Sequence, residues 1–278
     1  MSILLTESAW AQKALPEIVI KRHALNYPSP KLDDASLRYL DHALDTVRGL
    51  PERMIVEERE KIFARWISAD RLRQLHEATM DPLSAKLAGP FSALSNFEER
   101  GASEPVVLNI LQRKRLDIGV LEELAGLCVG EARLPVRTES AYSTRDARGQ
   151  RTEFISAKEV PGALVTICDV INQSTSNSHV MFSALWILVS VLHTHAFQDG
   201  NGRLARSLMN AFLIKSGALA NGPLPLGPLI YATKGNFRIA INRVTILGDW
   251  CPLFRNICVI FEVFARIERE FNETGLVK

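Results

Sequence analysis

Cysteine is scarce in this chain: Cys128, Cys168, Cys251 and Cys258 are the only four in 278 residues, and no two form a C-x-x-C pair. With apolar flanks such as Ile167 and Ile257, they read as buried free thiols of a reducing compartment rather than a disulfide framework. Charge of one sign is lacking too. The formal net charge is +2 and the pI about 8.4, too mild a bias to point to nucleic acid, which asks for a concentrated basic face. Long hydrophobic runs are absent. The most apolar stretch, Val180 to Leu192 between His179 and His193, falls short of the roughly 17–25 residues a membrane helix needs and reads as a buried helix. The start, Met1 to Val19, has no basic segment before its short apolar run and contains Glu7 and Glu17, unlike a secretory leader. Export by a signal of another kind is compatible with this composition. There is no internal repeat and no low-complexity tract.

What is present is an ordinary folding composition, 47% apolar and 23% charged, on a chain long enough to bury a sizeable core. Asp33 or Asp34 is placed to cap a helix carrying Leu37, Leu40, Ala43, Leu44 and Val47, which Gly49-Leu50-Pro51 stops. Two further helices are predicted near residues 52–66 and 68–79, so residues 1–90 form a helical region ahead of a main domain over 91–278. In that domain Val106 to Val129 is helical with an interruption at Gly119, and Gly130 to Pro135 is a turn. Arg137 to Phe154 has strand-favouring ends around a polar centre at 143–149 and is predicted as a hairpin or flap. Pro161 suits the first turn of a helix reaching about Ile171. Further helices are expected over His179–His195, Gly202–Lys215, Lys234–Leu247 and Asp249–Phe271. The fold class is all-α with a small β-hairpin.

One segment carries chemistry: His195-Ala-Phe-Gln-Asp-Gly-Asn-Gly-Arg-Leu-Ala-Arg206. A buried helix ends at a histidine, a loop with two glycines follows, and a new helix begins. Glycine lets backbone approach a ligand closely, and a helix start offers unpaired N–H groups and the positive end of a dipole. Together these cradle phosphate. Arg203 and Arg206, three apart, share a helix face and add charge-assisted hydrogen bonds. Asp199 is a hard oxygen ligand of the kind a phosphate-bound Mg²⁺ uses, and His195 has the pKa range to accept a proton from a hydroxyl. Taken singly, His195 is an ordinary helix cap, Gly-Asn-Gly a turn, and Asp199 a capping residue. Their conjunction within one short segment is the signal.

The segment resembles the Fic family pattern His-x-Phe-x-Asp/Glu-Gly-Asn-Gly-Arg-x-x-Arg at every defined position, with Ala196 where many members have proline. The likeness extends over about residues 104–270, through Gly130–Arg137 before the flap, Thr152–Ser156 in it, and Gly248-Asp-Trp-Cys-Pro252. It implies the Fic fold, a helical bundle, and protein AMPylation: transfer of AMP from ATP to a Ser, Thr or Tyr hydroxyl of a target protein. By that resemblance His195 is the base and Asp199 holds Mg²⁺ or Mn²⁺. Gly200, Asn201 and Gly202 form the anion hole, Arg203 and Arg206 bind the outer phosphates, and Phe197 anchors the loop. Thr152, Glu153, Phe154 and Ile155 belong to the flap that aligns a target's backbone by strand addition. Asn236 and Phe237 are candidates for the adenine pocket, where many members carry paired tyrosines. Ser95 and Glu99 fit part of the Ser/Thr-x-x-x-Glu-Gly/Asn pattern of the family's inhibitory helix, while Arg100 does not; restraint by an antitoxin is the other option, and a homo-oligomer is compatible. The Doc type, which phosphorylates, has lysine where Gly202 stands. The rival classes are a transferase using another nucleotide donor, a binding module without chemistry, and a nucleic-acid regulator built on the N-terminal helices.

Overall fold

The structure is a computed structural model that describes residues 19–21, 25, 32–50, 77–79, 103–143, 151–173, 179–220, 222–233 and 235–274. Its elements are β1 (Val19–Lys21), α1 (Asp34–Arg48), α2 (Ser103–Gln112), α3 (Ile118–Val129), β2 (Arg151–Glu153), α4 (Val160–Asn172), α5 (Val180–Thr194), α6 (Asn201–Lys215), α7 (Leu226–Ala232), α8 (Asn236–Leu247) and α9 (Cys251–Thr274). The fold is mostly helical, as expected.

Helix α5 is the centre. It is apolar on all sides, and Phe182, Leu185, Trp186, Leu188 and Val189 are buried in different directions, the mark of a helix with neighbours all round. Its widest contact is with α6, and it also packs on α4 and α1. Helix α1 lays Leu40, Ala43 and Val47 against this core, with α9 as its main partner. Asp33 caps it by accepting from Ser36 N–H at 2.7 Å, and the Gly49 N–H closes the other end on Asp45 O. Phe182 on α5, with Trp250 and Phe254 at the start of α9, forms an aromatic cluster with ring centroids 5.2–6.2 Å apart. All four cysteines are free; Cys128, Cys168 and Cys258 are buried and Cys251 is half-buried.

Three asparagines close loops in one manner. Asn172 bonds both the N–H and the C=O of Leu116 (2.8 and 2.9 Å), and Asn210 does the same for Leu224 (2.9 and 3.0 Å). Asn201 does so for Phe197. A carboxamide carries one acceptor and one donor side, so it satisfies a buried residue's backbone as a neighbouring strand would.

Two expectations are corrected. The single helical stretch over Val106–Val129 is two helices. The break falls at residues 113–117, where Asp117 accepts from Val120 N–H at 2.9 Å and caps α3, so Gly119 sits inside the new first turn. Helix α7 was missed because Pro225, Gly227 and Pro228 read as breakers; a seven-residue helix accommodates Pro228 within its first turn, where no N–H partner is needed. The predicted helices at 52–66 and 68–79 lie outside the described residues, apart from residues 77–79, which are helical.

The turn after α3 folds back tightly. Gly130 is left-handed (φ 82°), and Glu131 N–H bonds Gly126 O at 2.9 Å. A Cβ at Gly126 would lie 2.6 Å from Arg133 N and 2.8 Å from Glu131 O, both backbone atoms that cannot swing aside. Gly126→Ala is therefore expected to destabilise the protein by about 1–3 kcal/mol, the usual cost of overpacking, read as a lowered midpoint in thermal or urea unfolding.

Candidate active site

The loop between α5 and α6 brings the motif residues together. His195 ends α5 in the left-handed region (φ 46°, ψ 54°), with its N–H on Val191 O at 3.1 Å. It is the only described non-glycine residue with positive φ. Such a conformation costs free energy and persists where the surroundings impose it. Three contacts do so. The ring of Phe154 stacks on the imidazole with centroids 4.1 Å apart and planes within 10°. The Arg137 guanidinium grips the backbone, donating to His195 O (2.8 Å), Thr194 O (3.2 Å), Ile155 O (2.5 Å) and Glu139 O (2.7 Å). Arg137 N–H also bonds Ala196 O at 2.9 Å. Arg137 is thus the knot that ties the end of α5 to the segment after β2.

Arg137 is itself held from α3. Glu122 accepts from Val136 N–H at 2.9 Å and pairs with Arg133, while Leu134 N–H bonds Glu122 O. Burial acts to raise the Glu122 pKa, but the Val136 N–H and Arg133 outweigh it and leave the carboxyl below its ordinary range. Sequence reading placed Arg137 only at the end of a turn. Nothing in a lone arginine after Leu-Pro-Val announces four carbonyl partners, three of them distant in sequence.

Burial lowers the His195 pKa from its ordinary value of 6.5; the Arg137 charge lowers it further, and Asp199 acts in the opposite sense. The imidazole is therefore neutral at pH 7 and able to accept a proton. The two buried residues after it anchor the loop: Ala196 and Phe197 are each 1% exposed. Asn201 closes it, accepting from Phe197 N–H (3.1 Å) and donating to Phe197 O (2.7 Å). The Asn201 side chain is thereby committed to the loop, which leaves its backbone at the start of α6 as the part able to meet a ligand.

Gly200 is left-handed (φ 78°) and sits against α3, where a Cβ would meet Cys128 Cβ and Val129 Cγ1 at 3.2 Å and Ala125 O at 3.3 Å. Both backbone angle and space demand glycine. Cys128 beneath it is pushed up to about 11, chiefly by burial, so it is a packing thiol. A Cβ at Gly202 would lie 3.3 Å from Arg206 Nη1, so the Arg206 guanidinium reaches back along α6 to its N-terminus. Arg203 pairs with Asp199 at 3.2 Å. The Asp199 side chain is 74% exposed, with Oδ1 on Gly200 N–H and Oδ2 toward Arg203. Helix start, two arginines, one outward carboxylate and a neutral imidazole share one loop.

The other predicted site residues divide. Arg151–Glu153 is a strand, Tyr142 bridges Glu153 in antiparallel sense, and Phe154 N–H bonds Ala141 O at 2.9 Å. These lie where the flap was expected; residues 144–150, its turn, fall outside the described residues. Of the four flap candidates, Thr152 and Glu153 are in β2, Phe154 covers His195, and Ile155 is fully buried, so its side chain serves the core. Asn236 and Phe237 start α8 but are 1% and 2% exposed. Asn236 Nδ2 donates to Thr79 Oγ1 and Phe237 is packed into the core, so the two candidates for the adenine pocket have their side chains turned inward. Ser95 and Glu99 lie outside the described residues.

Residues 117–213 match the model of the Fic/DOC family, spanning α3 to α6 and the whole motif. Over these residues the chain carries a Fic domain. Solved structures agree on the fold. Residues 134–508 of Fic-1 from C. elegans superpose with a TM-score of 0.54 at 17% identity, covering 86% of this chain and 73% of that one. A Fic family protein from Desulfovibrio desulfuricans G20 gives 0.53 at 14% identity, with 90% and 78% covered. No curated protein matches the chain. No helix among the described residues is long and apolar enough to cross a membrane.

A His195 pKa below 6.5 means the unfolded chain binds more protons at that position. Its contribution to stability is therefore full above about pH 6.5 and declines as pH falls through the lowered folded value. Nuclear magnetic resonance titration of the imidazole is expected to show a midpoint below 6.5 in the wild type. In Arg137→Met one of the two lowering causes is removed, and the midpoint is expected to rise toward 6.5.

Proposed function

We propose that this Fic-type transferase moves AMP from ATP to a hydroxyl of a target protein and releases pyrophosphate. The observation that carries the reading is the gathering of His195, Asp199, the N-terminus of α6, Arg203 and Arg206 around one loop. His195, neutral and held by Arg137 and Phe154, takes the proton of the target hydroxyl. The freed oxygen attacks the α-phosphorus, and the bond to the β-phosphate oxygen breaks. The backbone at Gly200, Asn201 and Gly202, with Arg203 and Arg206, holds the triphosphate and the negative charge that gathers on the departing pyrophosphate. The backbone donors are set before the reaction, because Asn201 and Gly200 fix the loop.

Asp199 fits a magnesium or manganese ion. It is a single exposed carboxylate at the rim of a phosphate cradle, and Mg²⁺ takes one or two carboxylates with phosphate oxygens and water. Bound there, such an ion would neutralise phosphate charge. Arg203, 3.2 Å from Asp199 Oδ2, would turn to the phosphates. Gly202 favours AMP transfer over phosphoryl transfer, since the Doc type carries lysine at that position.

Incubation with ATP labelled at the α- or the γ-phosphate, with cell lysate, tests this. Label from the α-position on protein is expected, reduced by about 10²–10⁴ in His195→Ala, the usual worth of a general base. Label from the γ-position alone would move the reading to phosphorylation. Label from neither would replace ATP by another nucleotide donor or reduce the domain to a binding module.

A further inference from the structure

Strand β2 has partners on both edges. Glu153 bridges Tyr142 in antiparallel sense and pairs with Lys21 in parallel sense; one residue pairs with two strands only across its two edges. The register is Val19 with Arg151, Ile20 with Thr152 and Lys21 with Glu153. Tyr142 belongs to the flap's own first limb. Residues 19–21 come from the far N-terminal part of the chain, more than a hundred residues away in sequence.

We propose that residues 19–21 occupy the edge of β2 to which a target's backbone would be added, so that the chain's own N-terminal segment competes with the target for the flap. The inference rests on the transferase reading above. An edge offers one row of N–H and C=O groups, and a strand seated there excludes a second. The direction fits a competitor. Strand β2 runs toward Phe154, whose ring lies on His195, and β1 runs parallel to it, so both chains lead toward the base. Leu25, four residues on from Lys21, packs against the core and moors the segment beyond the strand. The sequence suits the role: Ile18-Val-Ile20 is a run of β-branched residues that favours an extended backbone. With three paired residues this is a brake that a target can displace, its strength coming from tethering, which gives a linked segment an effective concentration on the order of millimolar.

The test uses the full chain and Ile20→Pro, which removes a ladder N–H and restricts the backbone. A double Val19→Gly, Ile20→Gly variant serves as a milder second disruption, and thermal melts confirm that both fold. Two readouts are taken: hydrogen exchange at the amides of residues 151–153, and transfer of α-label from ATP to lysate proteins below saturation. Exchange at 151–153 is expected to quicken at least tenfold in Ile20→Pro, and transfer to rise at least threefold. A synthetic peptide covering residues 15–26, added to Ile20→Pro, is expected to reverse both. Equal exchange in all proteins would overturn the pairing. Faster exchange with transfer unchanged or lowered would overturn the competition while leaving the pairing. Transfer absent from every protein would sink the transferase reading and the competition together, and the exchange data would still decide the pairing.

Discussion

The site depends on one constraint. Two buried helices, α5 and α6, must be joined within the six residues from His195 to Gly200, with no backbone group left unpaired inside the protein. The solution uses a left-handed histidine, a left-handed glycine and an asparagine whose carboxamide takes up both backbone groups of Phe197. Once the loop is closed in this way, α6 begins with N–H groups that no preceding carbonyl of the helix can reach. The same asparagine device at Leu116 and Leu224 shows that it is a general means of closing buried loops in this chain.

A second layer of contacts sets the imidazole. Glu122 holds Val136, Arg137 follows it and grips the carbonyls of Thr194 and His195, and the same guanidinium takes Ile155 O beside the flap. The end of α5 and the segment after β2 are therefore placed by one side chain. That arrangement couples the position of the His195 imidazole to that of the segment after β2. It also accounts for the lowered His195 pKa, since burial and a fixed nearby cation both favour the neutral ring.

Much of the helical frame was legible from local chemistry. Asp33, Pro161 and Gly217 mark helix ends through hydrogen bonds or angles formed within a few residues, so the limits of α1, α4 and α6 could be read closely. The break between α2 and α3 was placed wrongly because Gly119 is a conspicuous breaker, whereas Asp117 acts through a cap that only the chosen backbone reveals. The pairing of β1 with β2 could not be read at all, because two three-residue strands this far apart leave no periodicity.

The sequence by itself determined the chemical content of the site: the order of histidine, carboxylate, glycines and arginines, and the helix-loop-helix that holds them. These are short-range facts, decided by spacing and by the few conformations each residue type allows. The tertiary structure alone decided which of those residues face outward. Asn201 turns in to close its loop, Asn236 and Phe237 vanish into the core, and Arg137 becomes the anchor of His195. Such roles depend on which carbonyls, rings and helices arrive from distant parts of the chain, and no local pattern records that.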